Sequence, residues 1–314
     1  FDFLRFVHNP RNGEDLNSGT GPWRPAAGTY QQWPESTSEI KLLDPCCGSG
    51  HFLVAAFELL VRLRINEANL GAKEAAYAVL RDNIYGLELD QRCTQIAAFN
   101  LAMSAWRFAG GYFELPPLHL ACSGSSPNSS KEDWLKLAEQ AAAGTEVPIE
   151  SLQSGLRALH DSFLLAPELG SLIDPSAHGE GDLFTAGFDK LQPFLRAALQ
   201  AEEENSANYE RAVAAHGMAK AAEILMGPTS GYTLIITNVP YLGRSSQSDL
   251  LKDFCDRHYK EAKADLSTTF LARMMRWSRG RGSVAAVTPQ NWLFLTSYRH
   301  LRERLIRERT WNVV

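Results

Sequence analysis

The sequence predicts an α/β protein with a doubly wound, mostly parallel sheet and a helical insertion, and three stretches carry that prediction. Short apolar runs at 40–43, 84–89 and 232–237 each read as a buried strand ending in a polar group. Helical periodicity follows the first two directly. Strands alternating with helices are the pattern of a parallel sheet whose crossovers are helices.

Residues 1–39 are rich in Gly, Pro, Asn and Trp and lack sustained periodicity, so an irregular lead-in is expected there. The strand at 40–43 leads into a glycine turn at Gly48–Gly50 and a helix from His51 to Ala68. A second strand at 84–89 precedes a helix from Asp90 to Trp106, and 118–122 reads as a third strand. From 123 to 227, Ser/Asn/Pro stretches alternate with helical runs at 131–143, 188–205 and 209–225, which reads as a mostly helical insertion. The pattern then returns to a strand at 232–237, an amphipathic helix at 266–278 and a strand at 283–288. The expected organisation is a lead-in (1–39), a cofactor-binding half (40–122), the insertion (123–227) and a catalytic half (228–314). The chain opens on Phe1 and closes on residues that read as the start of a strand, so a longer parent is expected.

Composition narrows the class. Hydrophobic residues make up 45 % and charged residues 21 %, as in ordinary soluble domains. No apolar run approaches the roughly 20 residues that cross a bilayer, so no membrane contact is expected. The five cysteines, Cys46, Cys47, Cys93, Cys122 and Cys255, show no zinc spacing; they read as reduced thiols of a cytoplasmic protein without a metal. A net charge of −5 argues against a general nucleic-acid binder. The C-terminal arginines, Arg273 to Arg281 and Arg299 to Arg309, read as solvated helix faces or as a DNA-facing edge.

Three motifs carry chemistry. In Asp44-Pro45-Cys46-Cys47-Gly48-Ser49-Gly50 a strand delivers a carboxylate to the carboxyl edge of the sheet, where open α/β folds bind ligands. Two glycines then let the backbone approach that ligand closely. A carboxylate there suits an ammonium group, and the absence of a Lys-Ser/Thr pair after the glycines excludes a P-loop. In Ile84–Asp90 the strand ends at Glu88, placed to accept hydrogen bonds from both hydroxyls of a ribose, with Leu89 available to pack on adenine. In Leu234–Gly243 a strand ends in Asn238-Val239-Pro240-Tyr241. An exocyclic amine has its lone pair delocalised into its ring, so attack on a methyl sulfonium needs acceptors that draw the nitrogen toward tetrahedral geometry. The Asn238 side-chain oxygen and the backbone carbonyl of Val239 are such acceptors, and Tyr241 offers a stacking face worth about 1–3 kcal/mol.

Together these stretches resemble the amino-methyltransferases of restriction–modification and phage-defence systems, in their adenine-N6 branch. The pattern Asp-Pro-x-Cys-Gly-Ser-Gly-His-Phe-Leu at 44–53, Asp265-Leu266, and Thr288–Phe294 are similar to the large methylases of the fused restriction–modification and BREX-type groups. The resemblance implies a class I, Rossmann-like fold and transfer of a methyl group from S-adenosylmethionine to adenine N6 in double-stranded DNA, with the target base flipped out and other defence-system subunits as possible partners. It implies that Asp44 holds the methionine amino group, that Cys46, Gly48 and Gly50 line the methionine with Phe52 near it, and that Glu88 takes the ribose and Leu89 the adenine. Asn238, Val239, Pro240 and Tyr241 form the catalytic loop.

This sequence departs from that family's pattern twice. Val239 stands where the family has proline, although the chemistry uses the backbone carbonyl of that residue. The acid that contacts the cofactor adenine is missing after the third strand, where Ser123 stands; Asp182 in Gly181-Asp182-Leu183-Phe184 is the alternative. A protein-glutamine or RNA amine methyltransferase, or a non-catalytic module of the same fold, would share much of this pattern.

Overall fold

The computed structural model describes residues 33–127, 149–175, 207–278 and 282–311, and outside them only 6–8, 21, 23–25, 130–133 and 135. The expected helices at 188–205 and over most of 131–143, and Asp182, lie outside the described residues.

A two-stranded antiparallel ribbon pairs β1 (Phe6–His8) with β2 (Trp23–Pro25), in a lead-in expected to be irregular. Strands of three residues are too short to show alternation in a sequence. The main sheet contains β3 (Leu42–Asp44), β4 (Ile84–Glu88), β5 (His119–Cys122), β6 (Leu234–Asn238) and β7 (Ser283–Val287). Its order is β5-β4-β3-β6-β7, and every pairing is parallel. The chain therefore winds outward from β3 in one direction and later from β6 in the other. The reversal lies between β3 and β6, where such sheets open a crevice beyond the strand ends. Asp44 and Asn238 close those two strands.

Helices cover both faces. On one, α1 (His51–Ala68), α2 (Ala72–Asp82) and α3 (Gln91–Ala109) bury Leu53, Phe57, Leu60, Val79, Leu80 and Leu101 against the sheet. The apolar residues of α1 at 53, 56, 57, 60 and 61 have the spacing of one helical face. Gly50 precedes α1 with a φ of +85°, and a side chain there would meet Ala97 at 3.0 Å, so this tight entry requires glycine. Asp90 caps α3 by accepting the Arg92 N–H at 2.8 Å. Helix α2 was not among the sequence expectations, although three alanines, Val79 and Leu80 give it a buried face.

The other face holds α4 (Ile149–Phe163), the single turn α5 (Ala166–Leu169), α6 (Ala207–Met226), α7 (Asp249–His258) and α8 (Leu266–Trp277), with α9 (Arg299–Glu308) following β7. Leu156, Phe163, Met218, Leu225, Phe270 and Met274 share one core cluster with Leu43, Ile235 and Val239. The helical segment between β5 and β6 thus packs on the sheet itself.

Most of the C-terminal arginines turn inward or pair locally. Arg273 is buried, donating to the Ile173 carbonyl at 2.8 Å and pairing with Asp174; Arg276 donates to the His258 carbonyl and lies over the Tyr259 ring. Arg304 pairs with Glu261, and Arg309 donates to the Met275 carbonyl. For these residues the structure shows neither a DNA-facing edge nor a freely solvated face. Among the described residues, no helix is long and apolar enough to cross a membrane.

Candidate active site

A cavity of about 300 Å³ opens beyond the carboxyl ends of the central strands, within the size range of small-molecule sites. The sequence-predicted residues Cys46, Glu88, Leu89, Ser123, Asn238 and Pro240 all line it, together with Pro45, the segment Glu168–Leu172, Leu266 and Phe270. Six separated stretches of the chain therefore meet in one cavity.

The glycine turn is held by its own backbone and by Glu88. Cys47 N–H donates to the Leu87 carbonyl at 2.9 Å and Gly50 N–H to the Cys47 carbonyl at 2.7 Å. Glu88 accepts the Gly48 N–H at 2.8 Å through Oε2 and the Asp90 N–H at 3.2 Å through Oε1. One carboxylate thus fixes both turns that edge the cavity. Gly48 has a φ of +52°, and the space its Cβ would occupy is empty to 4 Å, so the turn presents bare backbone.

Asp44 stands behind this turn. It is 1 % exposed, is not among the lining residues, and accepts the Cys46 N–H at 3.1 Å. Burial pushes its carboxyl up to about 7; the Thr237 hydroxyl and the Cys46 N–H favour the charged form, and Glu88 opposes it. The Cys46 and Cys47 thiols are likewise pushed up by burial. Phe52 lies on the first turn of α1, 40 % exposed and outside the cavity wall.

The far wall comes from a segment the sequence reading had not singled out. Ser123 is buried after β5; its N–H donates to the Glu88 carbonyl at 2.7 Å, and its hydroxyl lies 3.1 Å from the Ser171 hydroxyl. Ser171 donates in turn to the Pro45 carbonyl at 2.7 Å. Glu168 accepts a hydrogen bond from Ser248, the N-cap of α7, so the segment joins the two sides of the cavity. No local pattern could have flagged residues 168–172, because their role depends on a contact with Pro45 more than a hundred positions away. Leu266 and Phe270, one helical turn apart on α8, supply apolar surface; only Leu266 lies in a motif the sequence reading had quoted.

On the other strand Asn238 is exposed at the end of β6, while the Val239 side chain is 2 % exposed and packed in the core. Burial of the valine fixes the backbone here, which offsets the loss of a proline ring. Tyr241 is exposed, and its hydroxyl lies 3.0 Å from Asn238 Oδ1 and 3.3 Å from the Val287 carbonyl, which closes β7. Among the described residues, the lining contains two carboxylates, four leucines and a phenylalanine, and no Lys or Arg. It suits a cation joined to an apolar planar body, and it opposes a phosphate.

The Eco57I restriction-modification methylase family matches residues 82–314, and the N-6 DNA Methylase family matches residues 30–108. The chain belongs to the Eco57I restriction-modification methylase family. Among curated relatives of this family member, an adenine-specific methyltransferase PglX from Lacticaseibacillus casei (strain Zhang) is 31 % identical over 279 residues, covering 88 % of this chain and 21 % of the relative. An adenine-specific methyltransferase BrxX from Escherichia coli O9:H4 (strain HS) is 28 % identical over 298 residues, covering 88 % and 23 %. The chain thus spans about a fifth of the length of these relatives. Among solved structures, a nuclease-deletion mutant of the Type ISP restriction-modification enzyme LlaGI in complex with a DNA substrate mimic aligns with a TM-score of 0.45 at 14 % identity, over 86 % of this chain and 17 % of that one.

Proposed function

We infer that this chain is the catalytic core of an S-adenosylmethionine-dependent methyltransferase acting on the N6 amine of adenine in DNA. The observation that carries this reading is the single cavity in which Glu88, Leu89 and Asn238 meet, in a member of a family of restriction-modification methylases. The names of the relatives, adenine-specific methyltransferases, support the choice of base. The division into a cofactor-binding half and a catalytic half about the β3–β6 junction is part of the same proposal.

The cavity fits the cofactor by its chemistry. Glu88 would hold the ribose, Leu89, Leu266 and Phe270 would supply the apolar surface around the adenine, and the bare Gly48 backbone would leave room for the methionine. The cofactor contributes an electrophilic methyl group on sulfur. Ser123 closes the adenine end, with Asp182 still the alternative acid. Asp44, buried behind the cavity wall, would act on the methionine ammonium through the Cys46 turn or through water.

Asn238 Oδ1 and the Val239 carbonyl would accept the two hydrogens of the target amine, drawing its lone pair out of the ring. Held by these two acceptors, the amine would present its lone pair to the methyl group that the cofactor would supply, and would pass one proton to water. No strong base is required, so positioning carries most of the rate enhancement. Before the target arrives, Tyr241 occupies Asn238 Oδ1 with its own hydroxyl. The amine must take that place, and the ring remains to stack on the extruded base. Tyr241→Phe is therefore expected to methylate nearly as well as wild type. Tyr241→Ala should lose roughly 5- to 100-fold in kcat/KM for DNA, the equivalent of one stacking contact. Equal losses in the two variants would refute the stacking role.

The direct test uses the full-length protein. It is incubated with S-adenosylmethionine and unmethylated DNA, and the digested nucleosides are identified by mass spectrometry. N6-methyl-2′-deoxyadenosine is expected. Cofactor binding without any methylated nucleoside would shift the reading to a protein-amide or RNA substrate.

Asp44 gives the site a pH dependence. Its folded-state value lies above the ordinary carboxylate range, so it takes up a proton as the pH falls through about 7 and its anion is lost. Affinity for a cationic cofactor is expected to weaken below pH 7, by up to about tenfold per unit. The same shift makes the cofactor-free fold less stable as the pH rises from about 4 through 7, because the unfolded chain releases this proton near 4 while the buried group keeps it until about 7. Calorimetric titrations at pH 6, 7 and 8 check the binding trend, and Asp44→Asn should flatten it. A flat wild-type profile would remove Asp44 from the cofactor account.

A further inference from the structure

We propose that the loop after β7 engages DNA directly, with Phe294, and Leu295 beside it, stacking on bases next to the extruded adenine. The proposal rests on the reading of the substrate as DNA.

The loop is braced and its tip is not buried. Trp292 packs in the core and donates from Nε1 to Thr288 Oγ1 at 2.9 Å. Arg302 donates to the carbonyls of Trp292 and Leu295, both at 2.7 Å, and the Phe294 and Leu295 N–H groups both donate to the Asn291 carbonyl. Tyr298 is buried immediately afterwards. Against this rigid frame Phe294 is 72 % exposed and Leu295 is also exposed. A braced frame thus holds two adjacent apolar side chains together in solvent, a contiguous apolar patch rather than a scattered residue.

Its place in the fold selects the partner. Strand β7 ends at Val287, whose carbonyl lies 3.3 Å from the Tyr241 hydroxyl, so the loop leaves the sheet beside the catalytic loop. Tyr241 and Val287 are exposed apolar groups on the same edge. From residue 266 to residue 302 the chain has no Asp or Glu, although its net charge is −5. Arg273 and Arg276 are used internally, but Arg299 and His300 are exposed just past the loop, with Glu303 as a partner of both. An exposed aromatic beside the catalytic loop, in a stretch free of acidic residues, can approach a polyanion without repulsion and offers a face to its bases.

The test uses full-length wild type, Phe294→Ala and Phe294→Trp with labelled S-adenosylmethionine and unmethylated genomic DNA. Phe294→Ala should lower kcat/KM for DNA roughly 5- to 100-fold, chiefly through KM, with cofactor affinity and Tm unchanged. Phe294→Trp, which keeps an aromatic face, should restore it. Near-wild-type methylation by Phe294→Ala would overturn the proposal and leave a protein partner as the occupant of this surface. A loss that Phe294→Trp fails to restore would also overturn it, since stacking would then not be the cause. Failure of the wild type itself to methylate DNA would instead bring down the underlying reading of the function.

Discussion

Replacing Asn238 with alanine is expected to cut methyl transfer by about 10²–10³-fold, the scale seen when one preorganised polar group is removed from a reacting centre. The side chain sits at the end of β6, exposed to the cavity, and the catalytic account gives it an acceptor role that alanine cannot fill. The Val239 carbonyl would remain, because the valine side chain is anchored in the core. One of two acceptors would be lost and the backbone kept. Cofactor affinity should change little, since Glu88, proposed to hold the ribose, stands across the sheet reversal on β4 and Asn238 is given no cofactor contact. The contrast between an unchanged Kd and a collapsed kcat separates a catalytic group from a binding group. Undiminished N6-methyl-2′-deoxyadenosine from Asn238→Ala would exclude the loop from catalysis.

Glu88→Gln should lower cofactor affinity by about 10²-fold or more, despite being nearly isosteric. The Glu88 carboxylate already accepts N–H groups from Gly48 and Asp90, one on each oxygen. Glutamine has one oxygen and one NH₂ group, so one of those backbone donors must face another donor. The turn that carries Gly48 would shift, and an acceptor for a ribose hydroxyl would be lost with it. Each charge-assisted hydrogen bond contributes about 1.5–3 kcal/mol, so losing two accounts for that scale. A calorimetric Kd measures the effect, and a drop in the Tm of the cofactor-free protein should accompany it. A wild-type Kd for Glu88→Gln would show that the carboxylate serves the turns alone.

Much of the fold was legible because it is written in local pattern. The helix at His51–Ala68 is legible to its ends, since a glycine turn opens it and an unbroken run of helix-forming, mostly apolar residues follows. The strands ending at Cys122 and Asn238 were found within a residue or two, from short apolar runs between polar punctuation. The parallel sheet followed from the alternation. What stayed hidden depends on tertiary contact. Segment 168–172 becomes a cavity wall only because Ser171 reaches Pro45. Asp44 and Phe52 occupy ordinary motif positions, yet the fold buries the first behind the turn and leaves the second outside the wall. The Tyr241 hydroxyl on Asn238 is likewise invisible in a four-residue motif, because it also depends on where β7 ends. Among the arginines, sequence gave the charge, and packing decided that Arg273 would spend it on Ile173 and Asp174.

The reversal between β3 and β6 also sets an order of assembly during synthesis. Lys41 N–H donates to Thr233 Oγ1 across 192 positions, and the register of β3 with β6 runs through Leu42–Leu234 and Leu43–Ile235. At about 5–20 residues per second, the ribosome needs roughly 10–40 s to travel that distance. For that interval β3 has β4 on one side and nothing on the other, an open edge able to pair with the wrong strand. The first half can fold early, but methyl transfer must wait for the strand that carries Asn238. Nascent chains halted before residue 234 would therefore be both inactive and adhesive, which makes this junction the point where a chaperone would matter most.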